Sequence, residues 1–194
     1  PIFLAEVAST FNEELLTHYL LGQTDDPSMR AHLLNRQIDD LRGTIYRQTM
    51  FAEFEKIIHE RQEAGEALTL ETITAVYRDL LAVYFGPDFT LDPELDLECL
   101  RIPHFYSAFY VYQYATGMSA AMALSRQVLE TGDAGRYLGF LKSGGKQFPI
   151  DTLREAGVDM TSPAPVESAL ELFTRRVDEL ASLLGIDLDT PRTP

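Results

Sequence analysis

From residue 4 onward, Leu4, Val7, Ala8, Phe11, Leu15 and Tyr19 return every three or four positions, the period of a helix with one apolar side. Glu6, Ser9, Thr10 and Glu13 share another side, because residues seven apart nearly superimpose at about 3.6 residues per turn. A face of two carboxylates and two hydroxyls reads most simply as a solvated stripe. The alternative is a carboxylate that holds a metal ion, with a hydrogen-bonding neighbour one or two turns away.

The same patterning continues along the chain. Gly22 is placed to close the first helix, Asp26 to cap the next, and Pro27 to occupy its first turn. From Ser28 to Glu63 there is no proline and one glycine, Gly43, which predicts one long helix bent near Gly43. Gly65 ends it. Thr69 is the expected N-cap of a helix with the stripe Ile73, Val76, Tyr77, Leu80, Leu81 and Tyr84. Residues 86–103 contain Pro87, Pro93, Asp88, Asp92, Glu94, Asp96 and Glu98, so a mostly irregular loop is expected. A loop of that length in a compact domain commonly borders a functional site.

Pro103 is expected to open a helix that runs to about Glu130. On such a helix Tyr106, Tyr110, Tyr114 and Gly117 share one face, and Phe105, Phe109, Tyr112 and Thr116 the adjacent one. Its second half carries Ala115, Gly117, Ser119, Ala120, Ala121 and Ala123, small enough for a neighbouring helix to come close. A short helix follows Thr131-Gly132-Asp133, and another spans Pro149–Ala156. Ser162-Pro163-Ala164-Pro165 leads into a last helix ending near Leu184, and 187–194 reads as a flexible tail. The expected fold class is all-α.

Composition narrows the function. The 194 residues, 45% of them hydrophobic, suit one domain or one lobe of a larger protein. A net charge of −14, from 16 basic and 30 acidic residues, disfavours nucleic acid and anionic lipid as partners. No apolar run approaches a membrane span. A lone cysteine, Cys99, excludes an internal disulfide framework and a cysteine-based zinc site. Sparse cysteine fits the cytoplasm. The first residue is Pro rather than Met, as expected for a piece of a longer polypeptide.

Few histidine patterns survive scrutiny. His18 with Glu14 and His59 with Glu55 are i, i+4 pairs, expected as surface contacts. His59-Glu60-Arg61-Gln62-Glu63 lacks the second histidine of a zincin helix. No histidine has a glutamate three residues before it, which excludes the paired Glu-x-x-His of a di-iron bundle. The Tyr/Phe stripe after Pro103 is most simply core packing. Tyrosine hydroxyls can also donate to a developing oxyanion, and His104 at the expected helix start can turn into a cleft.

Two stretches carry a more specific message. Phe3–Glu13, FLAEVASTFNE, resembles the third-ligand helix of the oligoendopeptidase F group, a branch of the M3 (thimet oligopeptidase-like) zinc metallopeptidases. In that family a His-Glu-x-x-His helix supplies two zinc ligands and a later glutamate the third. The resemblance puts Glu6 in the place of that glutamate and Glu13 in the place of an acidic hydrogen-bond partner. Pro103–Gly117 is similar to the family's His-plus-tyrosine helix, which binds the substrate carbonyl and stabilises the tetrahedral intermediate. His104 and Tyr110 match first, then Tyr106 and Tyr112, with two registers open. IYRQTMFAEFE and DTLREAGVDMTSPAPVESALELF add support.

The resemblance implies a C-terminal helical lobe of such an enzyme over residues 1–186, without the His-Glu-x-x-His helix. It implies a Zn2+ cofactor in the full-length enzyme, short peptide substrates, and the missing N-terminal part of the same polypeptide as partner. The chain alone is expected neither to bind zinc tightly nor to cleave peptides. The rival expectation is a non-enzymatic acidic helical domain whose tyrosine-rich helix docks a partner helix.

Overall fold

The computed structural model describes residues 2–188. The tail expected over 187–194 therefore lies outside the described residues from position 189 onward. Among the described residues every regular element is helical, and no helix is long and apolar enough to cross a membrane. The chain divides into two compact units. One is discontinuous, Pro1–Arg42 with Thr116–Pro194, and the other is continuous, Gly43–Ala115.

The discontinuous unit contains α1 (Ile2–Gln23), α2 (Pro27–Leu41), most of α6 (Tyr112–Thr131), α7 (Gly135–Ser143), α8 (Pro149–Glu155) and α9 (Ala164–Leu184). Its core joins Val7 and Phe11 of α1 to Ala120, Ala121 and Leu124 of α6, with Tyr137 and Leu153 from α7 and α8. The Phe11 and Tyr137 rings stack with centroids 3.5 Å apart. The expected α1 stripe holds through Leu15, but Tyr19 is 60% exposed. The buried line runs instead through Val7, Phe11, Glu14 and Leu21, because a polar residue occupies an inside position.

Local signals at the helix ends behave as their chemistry dictates. The Asp26 carboxylate accepts the N–H groups of Ser28 and Met29 at 3.3 and 3.2 Å, with Pro27 in the first turn of α2. Gly157 adopts φ +96° after α8, and the Val158 N–H reaches back to the Leu153 carbonyl at 2.9 Å. The small residues of α6 do admit a neighbour. A Cβ at Gly117 would stand 3.7 Å from the Cβ of Glu6 and 4.0 Å from the Phe3 carbonyl oxygen. The backbones of α1 and α6 approach closely where α1 carries Glu6.

The continuous unit contains α3 (Arg47–Glu63), α4 (Leu70–Phe85), and the connection that follows. The long helix expected across Gly43 is interrupted there by a π-helical segment, Arg42–Tyr46. Thr69 caps α4 by accepting the Thr72 N–H at 3.2 Å. Met50, Phe51 and Phe54 pack on Val76, Tyr77, Leu80 and Leu81.

Residues 86–103 are more ordered than expected: they fold a 3₁₀ turn, Pro93–Leu97, and one helical turn, α5 (Glu98–Arg101). The physical reason is Glu98, 7% exposed, which the acidic composition of the loop disguised. Its carboxylate accepts Arg47 at 2.5 Å, Arg101 at 3.0 Å and the Tyr77 hydroxyl at 2.6 Å. Arg78 adds an ion pair to Asp96 at 3.3 Å. Burial of the adjacent Cys99 pushes its thiol up to about 11, so it stays a protonated core residue.

Candidate active site

Glu6 is solvent-exposed on α1. The Ser9 hydroxyl donates to its carboxylate at 3.3 Å and to its backbone carbonyl at 3.1 Å. Ser9 is thus in hydrogen-bond contact with Glu6, and Glu13 is exposed about 10 Å further along the helix axis. No basic side chain pairs with Glu6 among the described residues. An accessible carboxylate free of ion pairing and steadied by one hydroxyl suits metal ligation. The donor set is nonetheless short. Among the described residues no group of three or more His, Cys, Asp or Glu could hold a metal ion, whereas a catalytic zinc takes three protein ligands.

The second cluster lies within Gly43–Ala115, and its backbone departs from the expected continuous helix. Ile102 is extended, as a residue before proline prefers, and Pro103 opens a 3₁₀ turn, Pro103–Tyr106, rather than an α-helix. Phe105 anchors that turn, its ring 5.5 and 5.2 Å from those of Phe51 and Phe54. Phe109 then takes φ 57°, and α6 begins only at Tyr112. The left-handed residue stops helix propagation. It is held by the carboxylate of Glu55, which accepts the Phe109 N–H at 2.5 Å. Buried Val111 fixes the chain beyond the break.

The break changes which aromatic rings meet. Helical spacing put Tyr106, Tyr110 and Tyr114 on one face, but Tyr106 is 83% exposed. His104 instead stacks on Tyr110, centroids 5.5 Å apart and planes 9° apart. Tyr114 meets both rings edge-on, at 5.7 Å from His104 and 5.5 Å from Tyr110. The Tyr114 hydroxyl lies 3.3 Å from His104 Nε2. Tyr112 is 43% exposed at the start of α6. Two phenols and an imidazole, brought together by the irregular turn and the first turn of α6, can present several hydrogen-bond donors to one oxygen.

Two pairs expected at the surface are not surface contacts. Glu55 is 2% exposed and bound to the Phe109 backbone, while the His59 ring lies 4.6 Å from that of Phe109. Glu14 is 7% exposed and accepts Gln37 Nε2 at 2.5 Å. Spacing placed Tyr114 on the Tyr110 face, but the resemblance singled out other tyrosines; Glu55 is the residue at this cluster that spacing missed. The cue for Glu55 was weak: an acidic residue inside the apolar run of α3.

The model of one family, described as Peptidase family M3, matches residues 1–172. Oligopeptidase PepF of Bacillus subtilis is 54% identical over 185 residues, which is 94% of this chain and 28% of that protein. An oligoendopeptidase F homolog of Borreliella burgdorferi is 46% identical over 94% of this chain and 31% of its own length. A crystal structure of oligoendopeptidase-F from Enterococcus faecium superposes with a TM-score of 0.88 at 46% identity, covering 94% of this chain and 36% of that one. The chain thus spans about a third of the length of these relatives.

Proposed function

The chain belongs to peptidase family M3, and on that premise we propose that it is the C-terminal part of a zinc-dependent oligoendopeptidase F-type enzyme that hydrolyses short peptides. The observation that carries this reading is the His104–Tyr110–Tyr114 cluster, in which a turn held out of helical geometry brings His104 and Tyr110 against Tyr114 of α6. The identities of 54% and 46% to an oligopeptidase and an oligoendopeptidase F homolog support it.

In this reading Glu6 is one of three zinc ligands, with Ser9 orienting its carboxylate and Glu13 bonding a neighbouring ligand. The other two ligands and the general base come from an upstream His-Glu-x-x-His helix of the same polypeptide. When bound, the metal lowers the pKa of its water to about 7 and polarises the scissile carbonyl. His104 and Tyr110 donate to the carbonyl oxygen as it gains charge, with Tyr114, Tyr106 and Tyr112 as further donors. These donors act on the transition state rather than on substrate binding. The enzyme is assigned to the cytoplasm.

The test uses the full-length enzyme and an internally quenched peptide. Tyr110→Phe is expected to lower kcat by about 100-fold with little change in KM, the usual effect of removing one oxyanion donor. Glu6→Ala is expected to remove bound zinc, read by elemental analysis of the purified protein. Wild-type kcat in Tyr110→Phe, or full zinc content in Glu6→Ala, overturns the corresponding role.

A further inference from the structure

We propose that Glu55 is a positioning residue for the oxyanion-binding turn, its carboxylate clamping the Phe109 backbone so that Tyr110 is delivered onto His104. This rests on the roles of His104 and Tyr110 proposed above. Glu55 sits in the middle of α3 and is 2% exposed. A carboxylate is costly to bury, and it is retained inside a protein when something there needs an acceptor. Here that group is the Phe109 N–H, 2.5 Å away and 54 residues later in the chain.

Phe109 is the one non-glycine residue with positive φ among the described residues. An L-residue holds that conformation only where its surroundings impose it. Two groups on one face of α3 do so. Glu55 takes the backbone N–H, and His59, one turn later, lays its ring 4.6 Å from the Phe109 ring. Tyr110 is the next residue. Relaxing Phe109 to negative φ redirects the chain immediately before Tyr110 and breaks its stacking on His104. The Phe109 side chain is 50% exposed, so packing alone does not dictate this conformation. The Glu55 carboxylate bonds the backbone rather than either catalytic ring, so its influence passes through the turn.

The experiment is a double-mutant cycle in the full-length zinc-loaded enzyme, reading kcat and KM separately. Glu55→Ala is expected to lower kcat by about 30-fold with KM within about threefold and zinc content unchanged. Glu55→Gln keeps an acceptor oxygen and is expected to recover kcat to within about fivefold of wild type. Adding Phe109→Gly to Glu55→Ala is expected to restore about tenfold, because glycine enters positive φ without a clamp. Glu55→Ala combined with Tyr110→Phe is expected to be no slower than Tyr110→Phe alone within about threefold.

Losses that multiply in the double variant, or no recovery in Glu55→Gln, overturn the proposal. Should Glu55→Ala fail to fold, Glu55→Asp carries the same cycle, since it keeps the charge and withdraws the carboxylate by one methylene. If Tyr110→Phe and His104→Ala leave kcat unchanged, it is the functional reading that fails. If they lower kcat and the cycle is multiplicative, only the role of Glu55 fails.

Discussion

Glu14 illustrates what a single inside carboxylate does to stability. Burial holds its pKa above the ordinary glutamate value, against the opposing pull of Gln37 and of the Arg176 and Arg175 charges. The folded protein therefore binds this proton more tightly than the unfolded chain. Stability falls as pH rises from about 4.5 through the raised value, and the cost persists above it. Glu14→Gln removes the ionisable group and keeps an acceptor for Gln37. It is expected to gain about 1 kcal/mol near pH 7 and less near pH 4, measured by thermal melting at both. Glu14, Glu55 and Glu98 share a lesson about legibility. Spacing read Glu14 and Glu55 as surface contacts and Glu98 as part of an irregular acidic loop, because its logic assigns charge to water. What offsets their burial lies elsewhere in the chain: Gln37, the Phe109 N–H, and Arg47 with Tyr77.

At the scale of elements, the helices and their ends were readable because the signals are local. Asp26, Pro27, Thr69 and Gly157 each act within four residues of themselves. The turn between Pro103 and Tyr112 was not readable, because its determinant sits in a different helix. The tyrosine spacing fits a helix equally well, and Glu55 and His59 of α3 hold the turn against it. The small-residue half of α6 was legible, and it sets a measurable limit. A methyl group at Gly117 meets Glu6 and Phe3 at ordinary van der Waals separations. Gly117→Ala is thus expected to be neutral or to gain up to about 1 kcal/mol from reduced chain entropy. Gly117→Leu must push α1 away and is expected to cost about 1–3 kcal/mol. Urea unfolding of the two variants measures the contrast, and zinc content reports whether Glu6 moved with α1.

For the whole chain, sequence words identified the family where periodicity, charge and spacing stopped at an acidic all-α protein. In the proposed reading, zinc affinity separates this chain from the full-length enzyme. Titrated alone, it is expected to show no one-to-one zinc binding tighter than about 1 μM, since three protein ligands are needed and the described residues contain no such group. Calorimetry checks this, and sub-micromolar binding refutes it. The division into units has a further consequence, for synthesis on the ribosome. Gly43–Ala115 is contiguous and can close its core as it emerges. The helix bearing Glu6 has no such freedom: Ala8 waits for Tyr137, 129 residues downstream. At roughly 5–20 residues per second that delay is on the order of ten seconds. Through that interval the nascent chain must keep Val7 and Phe11 from sticking elsewhere, so α1, translated before the other helices described above, is among the last of them to mature.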